Sequence, residues 1–71
     1  MKIIKVENVY YAIDENDITQ GTGSSPIEAA CNGADTLYTS GSYYWHLAVV
    51  EFLQNSDAFV LNFSNNPFTL N

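Results

Sequence analysis

The sequence predicts a small α+β domain, and three patterns carry that prediction. Alternating β-branched and aromatic residues open the chain, a capped amphipathic helix follows, and further apolar segments come before the C-terminus. A chain of 71 residues is expected to form one domain, which we take as residues 1–71. The arrangement that we predict is a three-stranded meander, one helix packed on one face of the antiparallel sheet, and a final hairpin.

Residues 2–13 predict the first strands of the meander. Apolar side chains alternate there, and the alternation slips by one residue at Glu7-Asn8, which indicates a bulge or a tight turn. Asp14-Glu15-Asn16-Asp17 is a turn candidate. Ile18-Thr19-Gln20 would then pair back as a short strand, and Gly21-Thr22-Gly23 would end it. The alternating residues are Ile4, Val6, Val9, Tyr11 and Ile13.

Ser25-Pro26-Ile27-Glu28 predicts the start of a helix. A serine three residues before a glutamate can form a capping box, and proline suits the first helical position. Gly33 costs about 1 kcal/mol relative to alanine inside a helix, so we expect close packing of the helix on a sheet to explain it. The predicted apolar stripe of this helix is Ile27, Ala30, Cys31, Ala34, Leu37 and Tyr38.

Residues 43–53 fit two structures. As a helix they present one apolar stripe, and as a strand they are rich in aromatic residues and valine. Residues 58–63 have the pattern of a strand, and the turn-like residues 54–57 before them suit a hairpin. We therefore favour a hairpin of two strands here, with residues 64–71 as an irregular tail.

The formal net charge of -6 limits the binding partners. Two lysines and no arginine cannot neutralise a nucleic-acid backbone or an anionic membrane, so we expect direct binding to neither. A basic protein surface would attract this chain. No apolar run approaches the about 20 residues of a membrane helix, and the N-terminus lacks a signal-peptide core. With a single cysteine, Cys31, the chain fits a cytoplasmic location.

We predict no enzymatic activity, no metal and no cofactor. His46 is the only histidine and Cys31 the only cysteine, so the usual zinc ligands are missing. The acidic turn at residues 14–17 fails the calcium-loop pattern, because Ile18 stands where an oxygen ligand should be. Gly21-Thr22-Gly23 lacks the further glycine and the lysine of a phosphate loop.

Acidic and tyrosine side chains are therefore the candidates for a protein-binding site. Acidic residues gather in the predicted turn and along one side of the helix, where they could contact a basic partner. Tyrosine is favoured as an anchor in protein interfaces. The candidate contact residues are the acidic Asp14, Glu15, Asp17, Glu28 and Asp35 and the aromatic Tyr10, Tyr11 and Tyr44.

The stretch from Tyr10 to Asp35 resembles the hairpin-helix half of HicB-type antitoxins. A hairpin leads to Thr19-Gln20-Gly21, a small polar loop follows, and Pro26-Ile27-Glu28-Ala29-Ala30 opens the helix. The resemblance covers about a third of the chain. It implies a partial RNase H-like fold and an acidic protein that neutralises a basic RNA-cleaving toxin. The Asp-Leu-Pro-Gly-Cys stretch that such antitoxins often carry is replaced here by Asp14-Glu15-Asn16-Asp17.

In size and charge the chain also resembles small acidic phage inhibitors, such as anti-CRISPR proteins. The charge, the tyrosines and these resemblances predict an inhibitor that binds a basic protein, a nucleic-acid-binding effector, and blocks its nucleic-acid-binding surface. The alternatives are a HicB-like antitoxin and a structural or assembly module whose acidity serves only solubility. Because so small a domain has a limited core, a second copy of the chain could also be a partner, as a homodimer.

Overall fold

The structure, a computed structural model, describes residues 1–56 of the chain. It contains three strands, β1 (Lys2–Val6), β2 (Val9–Ile13) and β3 (Thr19–Gly23), followed by two helices, α1 (Pro26–Leu37) and α2 (Tyr43–Gln54). The predicted α+β class is confirmed, and α1 packs against the antiparallel sheet as expected. Neither helix in this part of the chain is long and apolar enough to pass through a bilayer.

The three strands form the predicted meander in the order β1-β2-β3. Val6 pairs with Val9, so Glu7 and Asn8 form a two-residue turn, and Glu7 has a left-handed backbone with φ of 57°. The phase slip in the sequence therefore marks a tight turn. The prediction that Gly21-Thr22-Gly23 ends the third strand was wrong, because these residues pair with β2 as part of β3.

Helix α1 lies unusually close to β3, and glycine makes this possible. A Cβ atom on Gly21 would lie 2.6 Å from the carbonyl carbon of Asn32 and 2.8 Å from the Cα of Gly33. A Cβ atom on Gly33 would lie 2.8 Å from the Cβ of Ala12. Close packing of α1 on the sheet thus explains Gly33 in the helix, as the sequence predicted. The same close packing explains why β3 has a glycine at position 21.

The core between the sheet and the helices is built mainly from alanine. Ile3 and Phe52 are the largest apolar side chains that are fully buried among residues 1–56. Ile3 pairs with Ala12 on the face that α1 covers, whereas Val6 and Val9 of the predicted alternation pair on the other face and are exposed; of the five alternating residues only Ile13 is buried. The buried apolar residues are Ile3, Ala12, Ile13, Ala29, Ala30, Ala34, Ala48 and Phe52.

Of the two hydrogen bonds of the predicted capping box at the start of α1, one forms as predicted and the other is shifted by one residue. The Ser25 hydroxyl accepts a hydrogen bond from the amide of Glu28 at 3.2 Å. The Glu28 carboxylate reaches back to the amide of Ser24 at 2.8 Å, one residue before the amide that a capping box would use. Ile27, which the sequence placed on the apolar stripe, is exposed, because the buried side of α1 is centred on its alanines.

The prediction of a final hairpin was wrong for its first strand, because residues 43–53 belong to helix α2. The Ser42 hydroxyl caps this helix by accepting a hydrogen bond from the amide of Trp45 at 3.2 Å. Ala48 and Phe52, one turn apart, are buried against α1 and β1, so burial of one helical stripe outweighs the strand propensity of the aromatic residues. The predicted strand at 58–63 and the tail at 64–71 lie outside the described residues.

The close contact between α1 and β3 can be tested with Gly21→Ala. The added methyl group would meet the backbone of α1, which cannot move aside as a flexible side chain could. We expect a loss of about 1–3 kcal/mol in the free energy of unfolding, measured by denaturation in urea. Thr22→Ala is the matched control, since Thr22 is exposed, and it should cost less than about 1 kcal/mol. Equal losses in both variants would contradict the close approach.

The cap of α1 predicts the effect of Ser25→Ala. Removal of the hydroxyl leaves the Glu28 amide without its acceptor, and we expect a loss of about 1 kcal/mol in the free energy of unfolding. Ser40→Ala, at an exposed position between the helices, serves as the control. A loss for Ser25→Ala no larger than that of the control would mean that the hydroxyl does not stabilise the helix.

Candidate protein-binding site

An open groove of about 330 Å³ lies where the β2–β3 turn meets the two helices. It brings together three acidic residues, Asp14 and Glu15 from the turn and Glu51 from α2, although Glu51 is distant from the other two in sequence. Neither lysine lines the groove. The lining residues, which we call the acidic groove, are Met1, Asp14, Glu15, Asn16, Leu37, Tyr38 and Glu51.

Asp14 organises the turn with its carboxylate. One oxygen, Oδ1, accepts hydrogen bonds from the backbone amides of Asn16 at 2.8 Å and Ile18 at 3.0 Å. The other, Oδ2, accepts one from the side-chain amide of Gln20 at 2.7 Å. These hydrogen bonds, that of Ile18 above all, lower the pKa of Asp14 below its ordinary value of 3.8, and the N-terminal ammonium acts in the same direction. Asp14 therefore contributes negative charge to the groove while its oxygens hold the turn.

Glu15 and Glu51 are the carboxylates of the groove that are free to meet a partner. Both side chains are exposed, and neither carboxylate has a hydrogen bond or an ion pair within residues 1–56. Glu15 was among the predicted contact residues, whereas Glu51 was missed. The helical pattern of residues 43–53 could have indicated Glu51, because a helix there brings it to the groove, but the sequence analysis favours a strand.

Three tyrosines form an exposed group beside the groove, which we call the tyrosine cluster. Tyr38, which lines the groove, stacks on Tyr44 with ring centroids 6.0 Å apart. Tyr43 meets the ring of Tyr44 edge to face at 5.5 Å. All three rings are exposed. The predicted anchor Tyr44 therefore adjoins the acidic groove, and Tyr38 and Tyr43 join it.

The remaining predicted acidic residues are held by internal contacts. The Asp17 carboxylate lies 3.9 Å from the ammonium of Lys2, in an exposed ion pair that contributes at most about 1 kcal/mol. Asp35 accepts a hydrogen bond from the indole of Trp45 at 2.7 Å, which links α1 to α2. Glu28 caps α1 through Ser24. None of the three lines the groove.

The two tyrosines predicted in the sheet lie apart from the groove. Tyr10 pairs with Lys5, and the Lys5 ammonium lies 5.6 Å from the centre of the Tyr10 ring, a cation–π contact within one face of the sheet. Tyr11 pairs with Ile4 on the opposite face. Both side chains are half-buried, and neither lines the groove.

His46 and Cys31, the two residues considered for catalysis or metal binding, lie on different helices. The Nδ1 atom of His46 is 2.8 Å from the carbonyl oxygen of Ser42, and its ring meets that of Trp45 edge to face. Cys31 is a free, half-buried thiol on α1. Residues 1–56 contain no group of three or more histidine, cysteine or acidic side chains placed to hold a metal ion.

No protein-family model matches the chain, and neither a curated protein nor a solved structure is similar to it. The resemblances to HicB-type antitoxins and to phage inhibitors therefore stay predictions.

The hydrogen bonds of Asp14 predict a pH dependence of stability. Because its pKa is lower in the folded chain than in the unfolded chain, its contribution is fully present above pH 3.8 and is lost as the pH falls through the folded value. We expect Asp14→Asn to reduce the loss of stability below about pH 4, measured as the urea midpoint across pH. Glu15→Gln removes a neighbouring carboxylate that accepts no hydrogen bond within residues 1–56 and is the control. An unchanged acid profile in Asp14→Asn would contradict this role.

Proposed function

We propose that this protein is a cytoplasmic inhibitor that binds a basic protein and covers its nucleic-acid-binding surface. The observation that carries the proposal is the convergence of Asp14, Glu15 and Glu51 in one groove beside the tyrosine cluster. The carboxylates would meet lysine or arginine side chains of the target. The proposed activity is binding, with no catalytic step.

The charge of the chain supports this proposal. Both lysines lie on β1, where Lys2 faces Asp17 and Lys5 lies over Tyr10. Among residues 1–56, the groove thus presents three carboxylates, and the N-terminal ammonium is the positive group that acts on Asp14 there. A surface of this sign attracts a basic protein over long range and speeds its encounter. Nucleic acid carries the same sign, so the protein and the nucleic acid would compete for the target.

The tyrosine cluster would supply a second part of the contact with the basic target, through packing of its rings. Tyrosine rings offer large contact area at a small cost in conformational entropy, and they stack well on arginine side chains. Tyr44 and Tyr38 already stack on each other, so their rings are partly ordered before binding. We therefore assign the rate of association mainly to the acidic groove and the lifetime of the complex mainly to the tyrosines.

The proposal can be tested with Glu15→Gln/Glu51→Gln. This double variant and the control Glu7→Lys both raise the formal net charge by two, but Glu7 lies in the β1–β2 turn outside the groove. Proteins would be captured from a lysate of the source cell and identified by mass spectrometry. We expect a nucleic-acid-binding protein that binds the double variant at least about tenfold more weakly, since close charge pairs contribute about 1.5 kcal/mol or more each. Glu7→Lys should bind nearly as the wild type does.

A competition assay and the salt dependence of association test whether the protein acts as an inhibitor. Adding the wild-type protein should release nucleic acid from the captured target in a gel-shift assay. Association should slow as salt rises, because the Debye length falls from about 10 Å at 0.1 M to about 3 Å at 1 M. Simultaneous binding of nucleic acid and this protein, or equal effects of both charge variants, would mean that the acidity serves solubility. Capture of an RNA-cleaving toxin would instead identify an antitoxin.

A further inference from the structure

Asn32 and Gly33 form an Asn-Gly pair inside α1, where this helix lies against β3. Asparagine is chemically labile, because the backbone nitrogen of the next residue can attack its side-chain amide. Glycine hinders this attack less than any other residue, since it has no side chain beside that nitrogen. Close packing requires glycine at position 33, where a Cβ atom would lie 2.8 Å from the Cβ of Ala12. The packing of the fold therefore retains a labile pair.

The folded structure keeps the reacting groups of this pair occupied. The Asn32 side-chain nitrogen, Nδ2, donates a hydrogen bond to the backbone carbonyl of Thr22 at 2.7 Å. The Gly33 nitrogen lies within the hydrogen-bonded backbone of α1 and against Gly21 of β3. One turn later, the Thr36 hydroxyl donates to the carbonyl of residue 20 at 2.7 Å. The leaving nitrogen and the attacking nitrogen are thus both held by the contact between α1 and β3.

We propose that Asn32 is a site of spontaneous deamidation, which the contact between α1 and β3 protects and which reacts when that contact opens. In the open state the Gly33 nitrogen bonds to Cγ of Asn32 and passes its proton to water, while Nδ2 takes up a proton and leaves as ammonia. Water then adds to one carbonyl of the five-membered imide and opens it to aspartate or isoaspartate. The co-reactant is water, to which Asn32 is exposed. This proposal does not depend on the proposed function.

Either product opposes the return of α1 to its place on β3. Aspartate brings a carboxylate to the Thr22 carbonyl, where the amide of Asn32 was a donor, and two acceptors cannot form a hydrogen bond. Isoaspartate lengthens the backbone of α1 by one carbon, at a point where Gly21 and Gly33 are already in contact. An opening that is reversible before the reaction therefore becomes permanent after it. Deamidation at Asn32 sets a limit on the lifetime of the folded chain.

Mass spectrometry of the full wild-type chain can follow the reaction. Cleavage after Glu28 and Glu51 releases residues 29–51, a peptide in which Asn32 is the only asparagine. Deamidation replaces an amino group of this peptide with a hydroxyl group, which changes its mass. The chain would be incubated in mildly alkaline buffer with and without concentrated urea before cleavage. We expect deamidation to be at least about tenfold slower without urea, because only open molecules react.

Gly21→Ala tests whether the α1–β3 contact controls the rate, because its methyl group would meet the backbone of α1. Deamidation without urea should become at least about fivefold faster, while the rate in urea stays the same. Thr22→Ala is the matched control, since it keeps the carbonyl that holds Asn32, and should change the rate by less than about threefold. If circular dichroism shows that Gly21→Ala is unfolded, Thr36→Val replaces it, because this change removes the hydroxyl that donates to β3.

The effect of the product can be measured separately. Asn32→Asp reproduces one product and should lower the urea midpoint more than Asn32→Ser, which is neutral and has a similar helix propensity. Three results would each overturn the proposal: no deamidation of the 29–51 peptide in urea, equal rates with and without urea, or a rate that the variants of the α1–β3 contact leave unchanged. Equal midpoints for Asn32→Asp and Asn32→Ser would overturn the claim that the product opposes refolding.

Discussion

The close approach of α1 to β3 is the constraint on which the rest of the structure depends. Gly21 and Gly33 leave so little space between the two elements that the layer between them is filled mostly by alanine. A thin core of this kind has no room for many large side chains, and the described residues fully bury Phe52 and Ile3 but no tyrosine. Within residues 1–56, several large apolar side chains, among them Val6, Ile18 and Tyr43, therefore lie exposed, where they are available for contacts with other molecules.

Part of the charge of the acidic groove follows from the way the β2–β3 turn is held. Besides the backbone hydrogen bonds that join Asp14 to Ile18 and Asp17, the carboxylate of Asp14 holds the β2–β3 turn by accepting two hydrogen bonds from backbone amides and one from Gln20. That need for an ionised group places one negative charge at the groove whatever the function. Glu15 and Glu51 add two carboxylates that have no hydrogen bond or ion pair within residues 1–56. The proposed contact with a basic protein rests on these two carboxylates.

Local signals were sufficient for the parts of the fold that local physics decides. The tight turn at Glu7-Asn8, the acidic turn and the start of α1 could all be predicted, because each depends on a few neighbouring residues. Residues 43–53 could not, because their aromatic content suits a strand, whereas burial of Ala48 and Phe52 against α1 and the sheet favours a helix. The composition of the candidate site was likewise only partly predictable, because it depends on non-local packing. Asp14, Glu15 and Tyr44 were foreseen, but their meeting with Glu51 and Tyr38 depends on how α2 packs.

Helix α2 then serves two surfaces that differ in kind. Successive residues of a helix are turned by about 100°, so Glu51 points away from Val50 and toward the groove, and Tyr44 points away from Tyr43 toward Tyr38. One side of the helix is charged and aromatic, and the next is apolar without charge. The first suits a basic protein, because its carboxylate and tyrosine rings can meet lysine and arginine side chains.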